Sequence, residues 1–243
     1  IYTGILTVNS AGLIGFAAAV FCGVPSGKGV ARSGGRLCDG DGFVALLGGS
    51  LCAAAATVKI VINVVAVGRG PLSNVKRRSA ARAGDVIYVG GELGASALGL
   101  RDILSGKVDT PNAELHRQPM AQSQEGVWLG CRAEVRAMMD LSDGLASDLC
   151  HILRASHCAA EISVENIPAV EGDVESAVCG GEDYKLLFTV DADAAECFEG
   201  DFEAQFGYRP YRIGRITESA KPEIIWLNEG ERITPQWRGY THF

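Results

Sequence analysis

Asp140, Ser142 and Asp143 stand together in "MMDLSDGLASDL" (138–149), where an apolar strand gives way to a helix. Two carboxylates three residues apart repel each other unless something positive sits between them. In a strand-to-helix turn, residues i and i+3 can face one point, so Asp140 and Asp143 could share a hard cation through oxygen ligands. Ser142 and the helix's free N–H groups could hold a phosphate oxygen. The alternative is that Ser142 or Asp143 caps the helix, a task worth about 1 kcal/mol. A cap accounts for one of these residues and not for three.

A second acidic motif is "CGGEDYKLLFTV" (179–190), which sets Glu182, Asp183 and Tyr184 directly before an apolar strand. Adjacent carboxylates at a strand mouth have little structural purpose, and a solvated turn is the competing account. The terminal "WRGYTHF" (237–243) is aromatic in a way that a frayed tail seldom is. Two glycine-rich stretches are weaker signals. "GVPSGKGV" (23–30) has three residues between Gly23 and Gly27 and no hydroxyl after Lys28, so it reads as a turn and not a phosphate loop. "GGELGASALG" (90–99) follows a strand and opens a helix, but its glycines miss the dinucleotide spacing and suit close packing instead.

The elements that must position these residues follow from periodicity. "VKIVINVVAVG" (58–68) and "DVIYVGG" (85–91) are predicted strands, and residues 92–107 a helix with Leu93, Ala97, Leu100 and Leu104 near 3.6-residue spacing. Residues 108–127 are polar, carry Pro111 and Pro119, and are the predicted boundary between units 1–107 and 108–243. Beyond it "AEVRAMM" leads into "DLSDG", after which Leu145, Leu149, Ile152 and Leu153 form one apolar helix face. "AAEISVENIP", "YKLLFTVD", "YRIGRIT" and "EIIWLN" read as strands and "DAAECFEGDFEAQFG" as a helix. The mixture predicts an α/β or α+β protein of two domains, with mixed sheets and flanking helices.

Composition narrows the function classes. With 47% hydrophobic and 21% charged residues, the profile is that of a soluble globular protein. A net charge of −7 without a run of Lys or Arg argues against nucleic acid as a partner. A phosphorylated small ligand fits if metal ions carry the positive charge. Eight cysteines without a C-x-x-C pair predict reduced and mostly buried thiols, as in a cytoplasmic protein. "AGLIGFAAAVFCGV" (11–24) is shorter than the roughly 20 residues of a membrane span and reads as a buried helix.

At these motifs the sequence resembles the thiamine-monophosphate kinase family of the PurM-like superfamily. The family's D-x-S-D-G-L, G-G-E-D-Y-E-L-L-F-T and W-x-G-Y/W-x-H-F segments are similar to "DLSDGLASDL", "GGEDYKLLFT" and "WRGYTHF", in the same order. "RRSAARAGDVIYVGGELGASALGL" is similar to a further family motif upstream. The resemblance implies a PurM-like two-domain α/β fold, a homodimer, and transfer of the γ-phosphoryl of ATP to thiamine monophosphate with several Mg²⁺ ions. It implies that Asp140 and Asp143 are metal ligands, that Ser142, Arg78 and Gly49 are ATP contacts, and that Glu182 and Tyr240 are substrate contacts. The family's G-D-D-A and T-T-D segments are not found, and Ser50 stands where a G-G-D-T segment has its aspartate. The chain begins at Ile1. Its expected explanation is that stretches of a complete enzyme are missing, the alternative being a protein that only binds. Other ATP-dependent PurM-like synthetases, those of aminoimidazole ribonucleotide or selenophosphate, are the rivals within the fold.

Overall fold

The computed structural model describes residues 2–8, 36–39, 43–53 and 60–67 by their backbone, and residues 71–219 and 221–239 in full. The helix expected at 11–24, the turn at 23–30 and Tyr240 lie outside the described residues. Four strands, β1 (Tyr2–Val8), β2 (Arg36–Asp39), β3 (Phe43–Ala53) and β4 (Ile60–Val67), form an antiparallel sheet in the order β1-β4-β3-β2.

The rest of the chain builds a seven-stranded sheet. Its strands are β5 (Val86–Val89), β6 (Val135–Asp140), β7 (Ala159–Ser163), β8 (Leu186–Val190), β9 (Tyr211–Thr217), β10 (Ile224–Asn228) and β11 (Glu231–Ile233). They are ordered β11-β10-β7-β9-β5-β8-β6, and β7 with β10 is the parallel pair in an otherwise antiparallel set. The helices are α1 (Ala95–Leu104), α2 (Pro111–Arg117), α3 (Ser123–Gly130), α4 (Leu145–Ser156), α5 (Val174–Cys179) and α6 (Ala195–Phe206). A mixed sheet with flanking helices is therefore present.

The two-residue period of a strand sends alternate side chains to opposite faces, and both faces of this sheet are covered. Ile87 and Val89 of β5 join a core closed by Leu145, Leu149, Ile152 and Leu153 of α4. Val86 and Tyr88 face a second core with Phe188, and with Phe198 and Phe202 of α6. Because both faces are buried, β5 and β8 read as continuous apolar runs and not as alternating ones.

Two expectations need correction. Residues 108–127 are not a bare linker: Thr110 caps α2 by accepting the Ala113 N–H, Pro111 fits its first turn, and α3 follows. β5 is hydrogen-bonded to β8 and β9. The cysteines differ too. Among the described residues all five thiols are free, but Cys131 and Cys197 are exposed and only Cys158 is fully buried.

Candidate active site

β6 and β8 run antiparallel with Asp140 opposite Leu186, so the loop leaving β6 meets the loop entering β8. Their backbones join there. The Leu141 N–H donates to the Lys185 carbonyl (2.8 Å), the Tyr184 N–H to the Leu141 carbonyl (2.9 Å) and the Glu182 N–H to the Ser142 carbonyl (2.9 Å). The two acidic motifs, distant in sequence, thus form one surface. Glycine permits the approach: a Cβ on Gly181 would lie 2.6 Å from the Ser142 carbonyl oxygen, and one on Gly144 2.7 Å from that of Gly180. Glu182 (φ 66°) and Tyr184 (φ 50°) adopt left-handed conformations although neither is glycine. Each costs about 1–2 kcal/mol, and such strain concentrates at functional turns.

Asp148, in the first turn of α4, organises the acidic loop. It is 1% exposed. Its Oδ2 accepts the N–H groups of Ser142 (2.8 Å) and Asp143 (2.9 Å). Those two N–H groups precede α4 and are held by Asp148. The N-cap of α4 is Gly144, with no side-chain cap, so neither Ser142 nor Asp143 caps the helix. Sequence reasoning missed Asp148, although "ASDL" carried it one turn into an apolar helix face, where an aspartate requires a partner. Sequence reasoning also missed His151. Asp143, Asp148 and His151 each offer a donor atom, all within 4.8 Å of one another.

The electrostatics are those of crowded carboxylates out of water. Burial pushes Asp148 up to about 7, with the charges of Asp143 and Asp140 adding to it and the two N–H bonds opposing it. Burial also raises Asp140, which the Arg78 guanidinium pulls back down and Asp143 pushes further up. Burial and the charges of Arg78 and Arg154 hold His151 low, against Asp143. Tyr184 is pushed up to about 12 by burial and by Glu182, Asp140 and Asp143. Arg78 reaches the site because its 3-10 turn (Arg78–Ala80) packs on α4, where the Ser156 hydroxyl donates to the Arg78 carbonyl (2.7 Å).

Asp183 has a separate task. Buried at the mouth of β8, it accepts the N–H groups of Gly94 (2.7 Å) and Ser96 (3.1 Å) and so caps α1, whose own N-cap is glycine. The solvated-turn account fails for this residue. Glu182, beside it, keeps its side chain 46% exposed. It lines a cleft of about 120 Å³ with Gly91, Ser96, Met120 and Lys185. A wider and more open hollow of about 590 Å³, with Arg82, Ser156, His157 and Glu218, lies at the other end of α4 and gathers no comparable acidic set.

Asp140, Ser142, Asp143, Arg78 and Glu182 thus gather around the junction of the two loops. Gly49 and Ser50 lie in β3, described by backbone alone. The carboxyl-terminal segment reaches the acidic loop. A Cβ on Gly239 would meet the Ser147 Cβ at 2.2 Å and the Asp143 carbonyl oxygen at 2.9 Å. Trp237 packs edge-on against Trp226, with ring centroids 5.0 Å apart. Among the described residues, no helix is long and apolar enough to cross a membrane. The carboxylates of Asp140, Asp143 and Asp148 are hard oxygen donors of the kind Mg²⁺ takes, and their mutual repulsion is what a cation would relieve.

Residues 82–227 match the family model described as AIR synthase related protein, C-terminal domain. The thiamine-monophosphate kinase of Escherichia coli (strain K12) is 35% identical over 192 residues, a match covering 71% of this chain and 57% of that protein. The chain therefore spans little more than half the length of this curated relative. The crystal structure of thiamine-monophosphate kinase from Stenotrophomonas maltophilia K279a superimposes with a TM-score of 0.61 at 28% identity, covering 72% of this chain and 59% of that one. AaThiL complexed with AMPPCP and TMP gives a TM-score of 0.59 at 29% identity, covering 76% of this chain and 59% of that one.

Proposed function

Because the chain belongs to the AIR synthase related family, through the C-terminal domain that carries the acidic loop, we propose that it transfers the γ-phosphoryl group of ATP to thiamine monophosphate, giving thiamine diphosphate and ADP. The observation that carries this reading is the junction of the two acidic loops, where Asp140, Asp143 and Asp148 crowd beside Arg78 and Glu182. Its support from relatives is the similarity to thiamine-monophosphate kinases and to a structure complexed with AMPPCP and TMP.

A phosphate oxygen of the acceptor attacks the γ-phosphorus as the bond to the β-phosphate oxygen breaks, so two anions must be brought together. Bound Mg²⁺ would supply charge neutralisation between the phosphates. Asp140 and Asp143 would hold it, with Asp148 fixing the Asp143 loop by its N–H bonds. Arg78 adds positive charge from the chain, the Ser142 hydroxyl and Gly49 contact ATP, and Glu182 and Tyr240 contact the thiamine substrate. No covalent enzyme intermediate is required. The working protein is a cytoplasmic homodimer of two PurM-like domains in this reading.

Full-length protein mixed with Mg-ATP and thiamine monophosphate is expected to yield thiamine diphosphate, measured as its fluorescent thiochrome, and EDTA is expected to abolish it. Binding of both ligands without product would replace the kinase with a binding protein.

A further inference from the structure

Glu182 is held at its backbone by the Ser142 carbonyl, but its half-exposed side chain needs a separate constraint to be useful in recognition. One neighbour comes from a different part of the chain. His116, near the end of α2, places Nδ1 3.7 Å from Glu182 Oε2 and 2.8 Å from the Ser96 hydroxyl of α1. Its side chain is only 12% exposed. The contact depends on how closely α1 and α2 pack. A Cβ on Gly99 would lie 2.1 Å from the Asn112 carbonyl oxygen and 2.9 Å from the His116 Cβ, so only glycine lets the two helices touch there. Ser96 is fixed in turn, because its N–H donates to Asp183 (3.1 Å). The arrangement runs from the buried cap of α1, through a serine, to a histidine that faces the exposed carboxylate.

We propose that His116, held by Ser96, is a positioning residue that orients the Glu182 carboxylate toward the thiamine moiety of the substrate. This rests on the reading of Glu182 as a substrate contact. Anchored at Nδ1 by the Ser96 hydroxyl, the imidazole stands against Glu182 Oε2 and restricts the rotamers of that carboxylate. A carboxylate so held can meet a cationic or N–H-bearing heterocycle without losing side-chain freedom at the moment of binding. The contacts of His116 run to Ser96 and Glu182, so its effect should appear in substrate affinity and not in phosphoryl transfer.

The test is a cycle of His116→Ala, Glu182→Gln and the double variant, with His116→Asn as the conservative replacement that keeps an N–H near the Nδ1 position. Thermal unfolding first establishes that each variant folds. His116→Ala is expected to raise KM for thiamine monophosphate by roughly fivefold, the scale of a partly exposed charged contact, with kcat and the KM for ATP moving less than about twofold. His116→Asn should restore most of the affinity, and the double variant should match Glu182→Gln alone. An unchanged KM in His116→Ala, an equal change in the KM for ATP, or additive effects in the double variant would each overturn the proposal. If the parent makes no thiamine diphosphate, the kinase reading fails by itself. The same cycle is then read in calorimetric affinity for thiamine monophosphate, and a parent that does not bind it overturns the positioning role as well.

Discussion

Replacing Asp148 by Asn keeps an oxygen that can accept the Ser142 and Asp143 N–H groups and removes a charge from a buried site. The folded carboxyl sits at about 7 against an ordinary 3.8, so the folded state holds this proton more tightly than the unfolded chain does. The stability tied to it is complete below about pH 4 and is lost as pH rises through about 7. From 3.8 to about 7, at about 1.4 kcal/mol per pH unit, the loss reaches about 4 kcal/mol. For a chain of this size that is roughly 8–16 °C in the unfolding midpoint. The assay is thermal unfolding in EDTA at pH 5 and pH 8, for the parent and for Asp148→Asn. The parent should lose more stability than the variant between the two pH values, by up to about 3 kcal/mol, because the assay covers only the part of that range from pH 5 to about 7. Asp85, Asp140 and Asp183 are also raised by burial, but they are present in both proteins, and their slopes largely cancel in the difference. Adding Mg²⁺ at pH 8 should stabilise the parent more than the variant. Parallel pH curves for the two proteins would refute the reasoning and leave Asp148 as a carboxylate already ionised in the folded state, tethering the loop by its charge.

Asp143→Asn should lower turnover at least about 100-fold, or about 2.7 kcal/mol of transition-state stabilisation, while the unfolding midpoint changes little; an unchanged rate at saturating Mg²⁺ would count against a ligand role. Asp183→Ala leaves the N–H groups of Gly94 and Ser96 without their acceptor, and denaturant unfolding should register a loss of about 1–2 kcal/mol. Tyr240→Ala should mainly raise KM for the thiamine substrate, and an effect confined to ATP would contradict that role.

Local sequence was enough wherever the physics is local. Apolar runs and helical spacing located β5, β6, β8, α4 and α6 to within a few residues. Among the missed helices, α2 was hidden by the prolines around it, since Pro111 suits a first helical turn as well as a linker. The short α5 was missed as well. The D-x-S-D and G-G-E-D motifs stood out because like charges set close together need an explanation that a solvated turn does not provide. Their residues could be named as candidates from that alone.

Only the tertiary structure decided which carboxylate does what. Asp183 and Glu182 are adjacent and chemically alike, yet one is buried as a cap for α1 and the other faces a cleft. That difference arises because the β8 entrance packs against a helix whose own N-cap is glycine. Asp148 read as one more polar residue until the fold placed its oxygen between two backbone N–H groups of the preceding loop. His116 lies far from Glu182 along the chain, and their meeting depends on a glycine at which two helices touch. Residue types and spacing determine which groups can ionise, coordinate or bend. Burial and long-range hydrogen bonds determine their charge and direction, and those depend on neighbours that sequence order does not bring together.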